Sequence, residues 1–138
     1  MSYLERISSA HTSERLTQEE MFFYARHLLL PGIGTRGQLK LKCARVLVIG
    51  AGGLGCPALQ ALAGAGVGEL TVVDGDSVAL SNLSRQWLHD YKGIGMNKAK
   101  SAVRTLAELN PFIQVIAHEK MLDEANAEGL ISRCDVVV

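Results

Sequence analysis

An α/β fold, a parallel sheet with helices packed on it, is predicted by three observations. Two β-branched runs, RVLVI at 45–49 and LTVV at 70–73, are bounded by glycine and read as buried parallel strands. Between them CPALQALAGAG repeats apolar residues at helical spacing, through Leu54, Ala58 and Leu62 and through Leu59 and Ala63, which makes a strand–helix–strand unit. The turn from the first strand into that helix is GAGGLG, whose glycines at 50, 52 and 55 form the G-x-G-x-x-G pattern of a Rossmann-like sheet.

Residues 1–16 are polar and aperiodic and are expected to form a flexible N-terminal arm. Thr17 and Glu20 make a T-x-x-E capping box before MFFYARHLLL, so a helical extension is predicted over 18–30, stopped by Pro31, Gly32 and Gly34. A short helical piece over 37–42 leads into the first strand. Beyond the second strand, DGDSVALSNLSRQWLHDYKGIG is polar and too long for a tight connection, which marks it as a functional loop. NKAKSAVRTLAELNP resumes the helical period through Ala99, Ala102, Val103, Leu106 and Leu109, and Asn110 and Pro111 end it. IQVIA is a third strand, DEANAEGLISR a helix capped by Asp123, and DVVV opens a fourth strand. The sheet is read as truncated in or after that strand, with 17–138 forming one incomplete unit.

The chain has 138 residues, 48% of them hydrophobic, which suffices for one domain with a real core. Fourteen basic residues balance fourteen acidic ones, so nothing in the overall charge attracts nucleic acid or an anionic membrane. An anion site must be built locally. Cys43, Cys56 and Cys134 are odd in number and make no C-x-x-C pair, which argues against a disulfide framework and a self-contained zinc site. No apolar run approaches a membrane span and no signal sequence opens the chain, so the cytoplasm is the expected compartment.

Glycines 50 and 52 permit a tight turn and close backbone approach, and Gly55 lets the helix pack on the sheet. The helix N-terminus offers unpaired N–H groups to phosphate. Asp74, at the end of the next strand, is placed to accept hydrogen bonds from ribose hydroxyls. Up to this point NAD and ATP fit equally well. What separates them is the following segment, which brings Asp76, Asn82, Arg85, Gln86 and Lys98 soon after the ribose anchor. Arg85 can make a forked phosphate contact, and Lys98 at a helix start is electrostatically unfavourable unless an anion is near. Charge developing at an α-phosphate would be met by both.

YARHLLLPGIG, GAGGLG, DGDSVALSNLSRQ and GMNKAKSA together resemble the MoeB/ThiF/HesA group of adenylating enzymes, which are related to the ubiquitin-activating enzymes. The likeness runs from about residue 17 to the end of the chain and is nearer MoeB than ThiF. It implies ATP-dependent adenylation of the C-terminal glycine of a ubiquitin-like sulfur-carrier protein, MoaD-like or ThiS-like, in molybdenum-cofactor or thiamine synthesis. It further implies ATP on Gly53 and its neighbours Gly50, Gly52 and Gly55, and ribose on Asp74, with Asp76 beside it. Ser81, Asn82, Leu83, Ser84 and Arg85 would lie along the nucleotide, with Asn82, Arg85 and Lys98 near the phosphates. Arg26 would reach into a partner subunit's site, giving a homodimer with Arg26, Arg85 and Lys98 as its catalytic residues. His27 replaces the glutamine usual after that arginine. The Mg²⁺-holding aspartate and the C-x-x-C zinc motifs of the group would fall beyond Val138, so the isolated chain is expected to be inactive.

Two rival readings remain: an NAD-linked oxidoreductase fragment, and a non-catalytic binding module of the same fold. Cys56, Cys43 and Cys134 are read as packing residues, His11, His89 and His118 as without a site. Trp87 and the Met21, Phe22, Phe23 cluster are also read as packing, although the cluster could line a dimer interface.

Overall fold

A computed structural model describes residues 15–138, so most of the expected N-terminal arm, and His11 with it, lies outside the described residues. Helix α1, Gln18–Phe23, opens on the predicted capping box: the Glu20 N–H donates to the Thr17 hydroxyl at 3.1 Å and the Thr17 N–H to Glu20 Oε2 at 2.7 Å. The single helix expected over 18–30 is broken at Tyr24, after which α2 runs Ala25–Leu28. Tertiary packing causes the break. The Tyr24 ring is buried, lying where any side chain on Gly66 would intrude, and its hydroxyl accepts from Asn110 Nδ2 at 2.8 Å.

Helix α3, Gly34–Cys43, starts earlier than the short piece expected, opened by Gly34 at φ +53°. Its Gln38 is fully buried and donates to the Ala65 carbonyl at 2.9 Å, while Lys42 pairs with the buried Glu20 carboxylate at 2.9 Å. A Cβ on Gly68 would overlap the Lys42 carbonyl, so that glycine is what lets α3 close on the sheet. Burial pushes the Glu20 carboxyl pKa up, but the Thr17 N–H, Lys42 and the Thr17 hydroxyl outweigh it and hold it below its ordinary value of 4.5. With the folded value lowered, this contribution to stability is complete above the unfolded value and is lost as pH falls through the folded one. Glu20→Ala is therefore expected to cost about 1–2 kcal/mol at neutral pH and less in acid, read from urea midpoints at the two pH values.

The sheet comprises β1 Arg45–Ile49, β2 Glu69–Val73, β3 Gln114–His118 and β4 Val136–Val137, ordered β3-β2-β1-β4 with every pair parallel. Helices α4 (Gly55–Ala65), α5 (Lys98–Leu109) and α6 (Glu124–Ile131) are the crossovers. Asp123 caps α6 as expected, its carboxylate accepting from the Asn126 N–H. On one face Val46, Val48, Leu70 and Val72 pack against Cys56, Leu59 and Ala63 of α4 and Ala99, Ala102 and Leu106 of α5. Leu47, which alternates to the other face, is fully buried too, so the run is continuously apolar, as in a parallel sheet covered by helices. Burying these side chains removes apolar surface at about 25 cal/mol per Å².

Phe23 packs edge-on against Tyr24 and Phe112, with ring centroids 5.0 and 5.4 Å away, whereas Phe22 finds no such cover within one chain. Phe22 is 83% exposed, and Met21 and Phe23 are also exposed. Among the described residues no helix is long and apolar enough to cross a membrane.

Candidate functional site

A cleft of about 330 Å³ opens at the C-terminal ends of β1 and β2, lined by Ile49, Gly50, Gly52, Val73, Asp74, Asp76, Lys98, Met121 and Leu122. Sheets of this kind carry their ligands outside the carboxyl ends of their strands. The glycine loop forms its floor. Gly50 leaves β1 at φ +99°, a conformation that side chains disfavour, and its N–H donates to the Val73 carbonyl at 2.7 Å. A Cβ on Gly55 would overlap the Gly50 carbonyl oxygen, so Gly55 is required for the turn itself. Gly53 differs: a Cβ there would meet only open space, and one on Gly52 only Gln86 Nε2 at 3.8 Å. Leu54, at the N-cap of α4, supplies no side-chain cap to the helix. The loop thus combines two glycines fixed by the fold with two that leave room above them.

Asp74 is 7% exposed and already has partners. Its Oδ2 accepts from the Ala51 N–H and its Oδ1 from the Asp76 N–H, both at 2.8 Å. The carboxylate ties the glycine loop to the end of β2, and each oxygen keeps one acceptor position for a further donor.

Lys98 begins α5, as predicted. Asn97 caps the helix, its carbonyl oxygen accepting from the Lys100 N–H at 3.1 Å and its amide donating to the Asp74 carbonyl at 2.8 Å. The Lys98 residue is only 8% exposed, and its Nζ lies 3.5 Å from Asp76 Oδ2, whose side chain is largely in solvent. A buried ammonium at the positive end of a helix, with one distant exposed carboxylate, is incompletely neutralised. It lines the same cleft as the glycines.

The long loop is built as an ordered flap. Ser77 and Asn97 form an antiparallel bridge at its base, and Gln86, Leu88 and His89 insert into the interior. Leu80–Asn82 is a single 3₁₀ turn in which Asn82 Oδ1 accepts from the Ala79 N–H at 2.9 Å. Ser81 and Ser84 are exposed and Leu83 half-buried. Arg85 is exposed too, with Nη1 donating to the Ser81 carbonyl at 2.9 Å. None of these five residues lines the cleft, so the structure brings Gly50, Gly52, Asp74, Asp76 and Lys98 together and leaves Ser81–Arg85 outside its wall.

Arg26 lies far from the cleft. Its helix adjoins Tyr24, which is fastened to Asn110 just past the C-terminus of α5, whereas Lys98 opens the same helix. An α-helix of this length separates its ends by roughly 18 Å.

Trp87 is 70% exposed, against the packing role expected for it; its indole N–H reaches only the Ser84 carbonyl, at 3.4 Å. Cys56 does pack: it is fully buried and its thiol donates to the Ala51 carbonyl at 3.3 Å. Burial pushes its pKa up, outweighing the Leu88 backbone and Lys98, so the helix dipole does not make it a thiolate. Two interior residues differ from their sequence reading, Gln86 as one of the amides after the ribose anchor and His89 as a histidine without a site. Gln86, 4% exposed, has a buried Oε1 with no partner among the described residues, and His89, 5% exposed, bonds to the glycine loop. No group of three His, Cys, Asp or Glu among the described residues gathers to hold a metal ion.

Residues 24–138 match the ThiF family. The chain is 50% identical over 123 residues to "Adenylyltransferase and sulfurtransferase uba4" of Pyricularia oryzae, covering 89% of this chain and 25% of the relative. It is 46% identical over 130 residues to "Adenylyltransferase and sulfurtransferase MOCS3" of Drosophila grimshawi, covering 94% and 29%. The chain therefore spans a quarter to a third of the length of these curated relatives. Among solved structures, PaaA superposes with a TM-score of 0.82 at 30% identity, over 91% of this chain and 42% of that one. The E. coli tRNA N6-threonylcarbamoyladenosine dehydratase TcdA, solved in complex with ATP, superposes with a TM-score of 0.78 at 25% identity, over 84% and 47%.

Proposed function

The chain belongs to the ThiF family, and from that premise we propose that residues 17–138 are the ATP-binding part of an adenylyltransferase acting on the C-terminal glycine carboxylate of a ubiquitin-like sulfur-carrier protein, of MoaD or ThiS type. The observation that carries this reading is the incompletely neutralised Lys98 ammonium in the wall of a cleft floored by a glycine loop. The names of the two curated relatives and the ATP bound to TcdA support it.

The residues fit a triphosphate. Open space above Gly52 and Gly53 admits the phosphate chain, and α4 begins beside it with no side chain capping its positive end. Asp74, with one acceptor position left on each oxygen, takes the ribose hydroxyls. Lys98 then holds phosphate oxygens, so the charge that develops as a carboxylate displaces pyrophosphate at the α-phosphorus meets a cation already desolvated. For Arg85 to join it, the guanidinium must exchange the Ser81 carbonyl for phosphate oxygens, which carry the opposite charge and accept a forked contact. No residue of the chain is assigned to Mg²⁺ or zinc, and no step is routed through either.

The NAD-linked reading accounts for the glycine loop and Asp74 but leaves Lys98 unexplained. Calorimetric titration of the chain with ATP and with NAD separates them: ATP is expected to bind more tightly, and tighter NAD binding would overturn the reading.

Arg26 enters only through a second copy, because within one chain it sits at the far end of α5 from Lys98. In the homodimer we infer, Arg26→Ala and Lys98→Ala, each made in a longer protein that carries out ATP–pyrophosphate exchange, depress that exchange. Mixing the two variants restores it, since each hybrid dimer contains one site with both residues intact. Failure of the mixture to recover would remove Arg26 from the site.

A further inference from the structure

We propose that His89 is a positioning residue that sets the Ala51–Gly52 peptide in the orientation that receives phosphate. Its ring spans from α5 to the glycine loop: Nδ1 lies 2.9 Å from Ser101 Oγ and Nε2 lies 2.8 Å from the Ala51 carbonyl oxygen. A carbonyl only accepts, so Nε2 carries the proton and Nδ1 accepts from the Ser101 hydroxyl. Cys56 donates its thiol to the same carbonyl, and its Sγ is 3.9 Å from His89 Nε2. Both acceptor positions of the Ala51 oxygen are thereby filled from the interior, while the Ala51 N–H is held by Asp74.

The consequence follows from peptide geometry. In a planar trans peptide the carbonyl of Ala51 and the N–H of Gly52 point in opposite directions. Holding the carbonyl inward on His89 turns the Gly52 N–H outward, and Gly52 is a cleft-lining residue. Were the peptide to flip, a carbonyl oxygen would face the phosphate instead of a donor. Ser101 stands one helical turn after Lys98, so the same ring also sets the spacing between the loop and the helix that carries the ammonium. Phosphate recognition as the loop's purpose rests on the nucleotide reading above; the orientation of the peptide does not.

Three measurements test this on the intact chain. In the unmodified protein, long-range ¹⁵N correlation spectra are expected to show His89 protonated at Nε2 alone; protonation at Nδ1 alone would overturn the proposal, since Nε2 could then not donate to Ala51. In His89→Leu, hydrogen exchange is expected to rise at the Ala51 and Cys56 amides, which bond Asp74 and the Gly52 carbonyl, and to stay unchanged in β2 and β3. Equal exchange in both proteins would overturn it. Third, His89→Leu is expected to weaken ATP about tenfold and leave adenosine unaffected, with His89→Gln restoring a donor and recovering ATP. Equal losses of ATP and adenosine would mean general structural damage. If His89→Leu does not fold, Ser101→Ala, which frees Nδ1, is expected to show the same exchange pattern and ATP loss in smaller measure, and silence there would overturn the proposal. Failure of the unmodified chain to bind ATP or adenosine would sink the nucleotide reading alone, leaving the tautomer and exchange results to decide the pin.

Discussion

Lys98→Met is expected to leave the chain at least as stable as the parent while weakening ATP on the order of a hundredfold. The ammonium is buried at the start of a helix, where the dipole disfavours a cation, and its partner Asp76 is 3.5 Å away and largely solvated. A methionine of similar length keeps the packing and removes the desolvated charge, so stability should hold or rise by about 1–2 kcal/mol. In the nucleotide complex the same charge has a phosphate partner in a sheltered site, and its loss is felt there in full. Thermal denaturation beside calorimetric titration reads both quantities. A marked loss of stability with ATP binding unchanged would make Lys98 a structural residue.

Gly55→Ala and Gly53→Ala are expected to fail in opposite ways, although both lie in one loop. A Cβ on Gly55 overlaps the Gly50 carbonyl oxygen, which is backbone and cannot swing aside. The loop or the α4 helix must move, at an expected cost of about 3 kcal/mol or more, which lowers the melting temperature by roughly 10 °C or more. On Gly53 the added methyl meets nothing and φ is not positive, so stability should change by less than about 0.5 kcal/mol. The methyl instead occupies space that the nucleotide needs, and ATP affinity falls. Unchanged ATP binding in Gly53→Ala would move the phosphates off this part of the loop.

The parts of the site that were legible in the sequence are those written in neighbouring residues. Strand, glycine turn and helix follow one another without interruption, so Gly50, Gly52, Gly55 and Asp74 could be placed from pattern alone, and Asn97 and Lys98 from the resumption of helical period. Tyr24 could not. Its break in the first helix answers to Asn110, 86 residues away, and to the absence of a side chain on Gly66. His89 was passed over for the same reason: its partners Ala51 and Ser101 stand 38 and 12 residues from it, and neither makes a recognisable motif with histidine. Arg85 and Lys98 are both expected near the phosphates from their places along the chain. Folding separates them, because α5 carries Lys98 into the cleft wall while the flap turns Arg85 outward onto its own Ser81 carbonyl.

The sheet order also bears on how the protein acquires its shape. β1 pairs with β2 along its whole length across one short crossover, whereas its bonds to the last segment, from the Arg45 N–H to Asp135 and from the Ile49 N–H to the Val138 carbonyl, close over 90 residues of chain or nearly so. Closing the longer loop costs more entropy. Assembly from the ribosome therefore favours β1, α4 and β2 first. The glycine turn and its aspartate tether belong to that contiguous early piece, while the outer strand joins a nucleus in which they are already set.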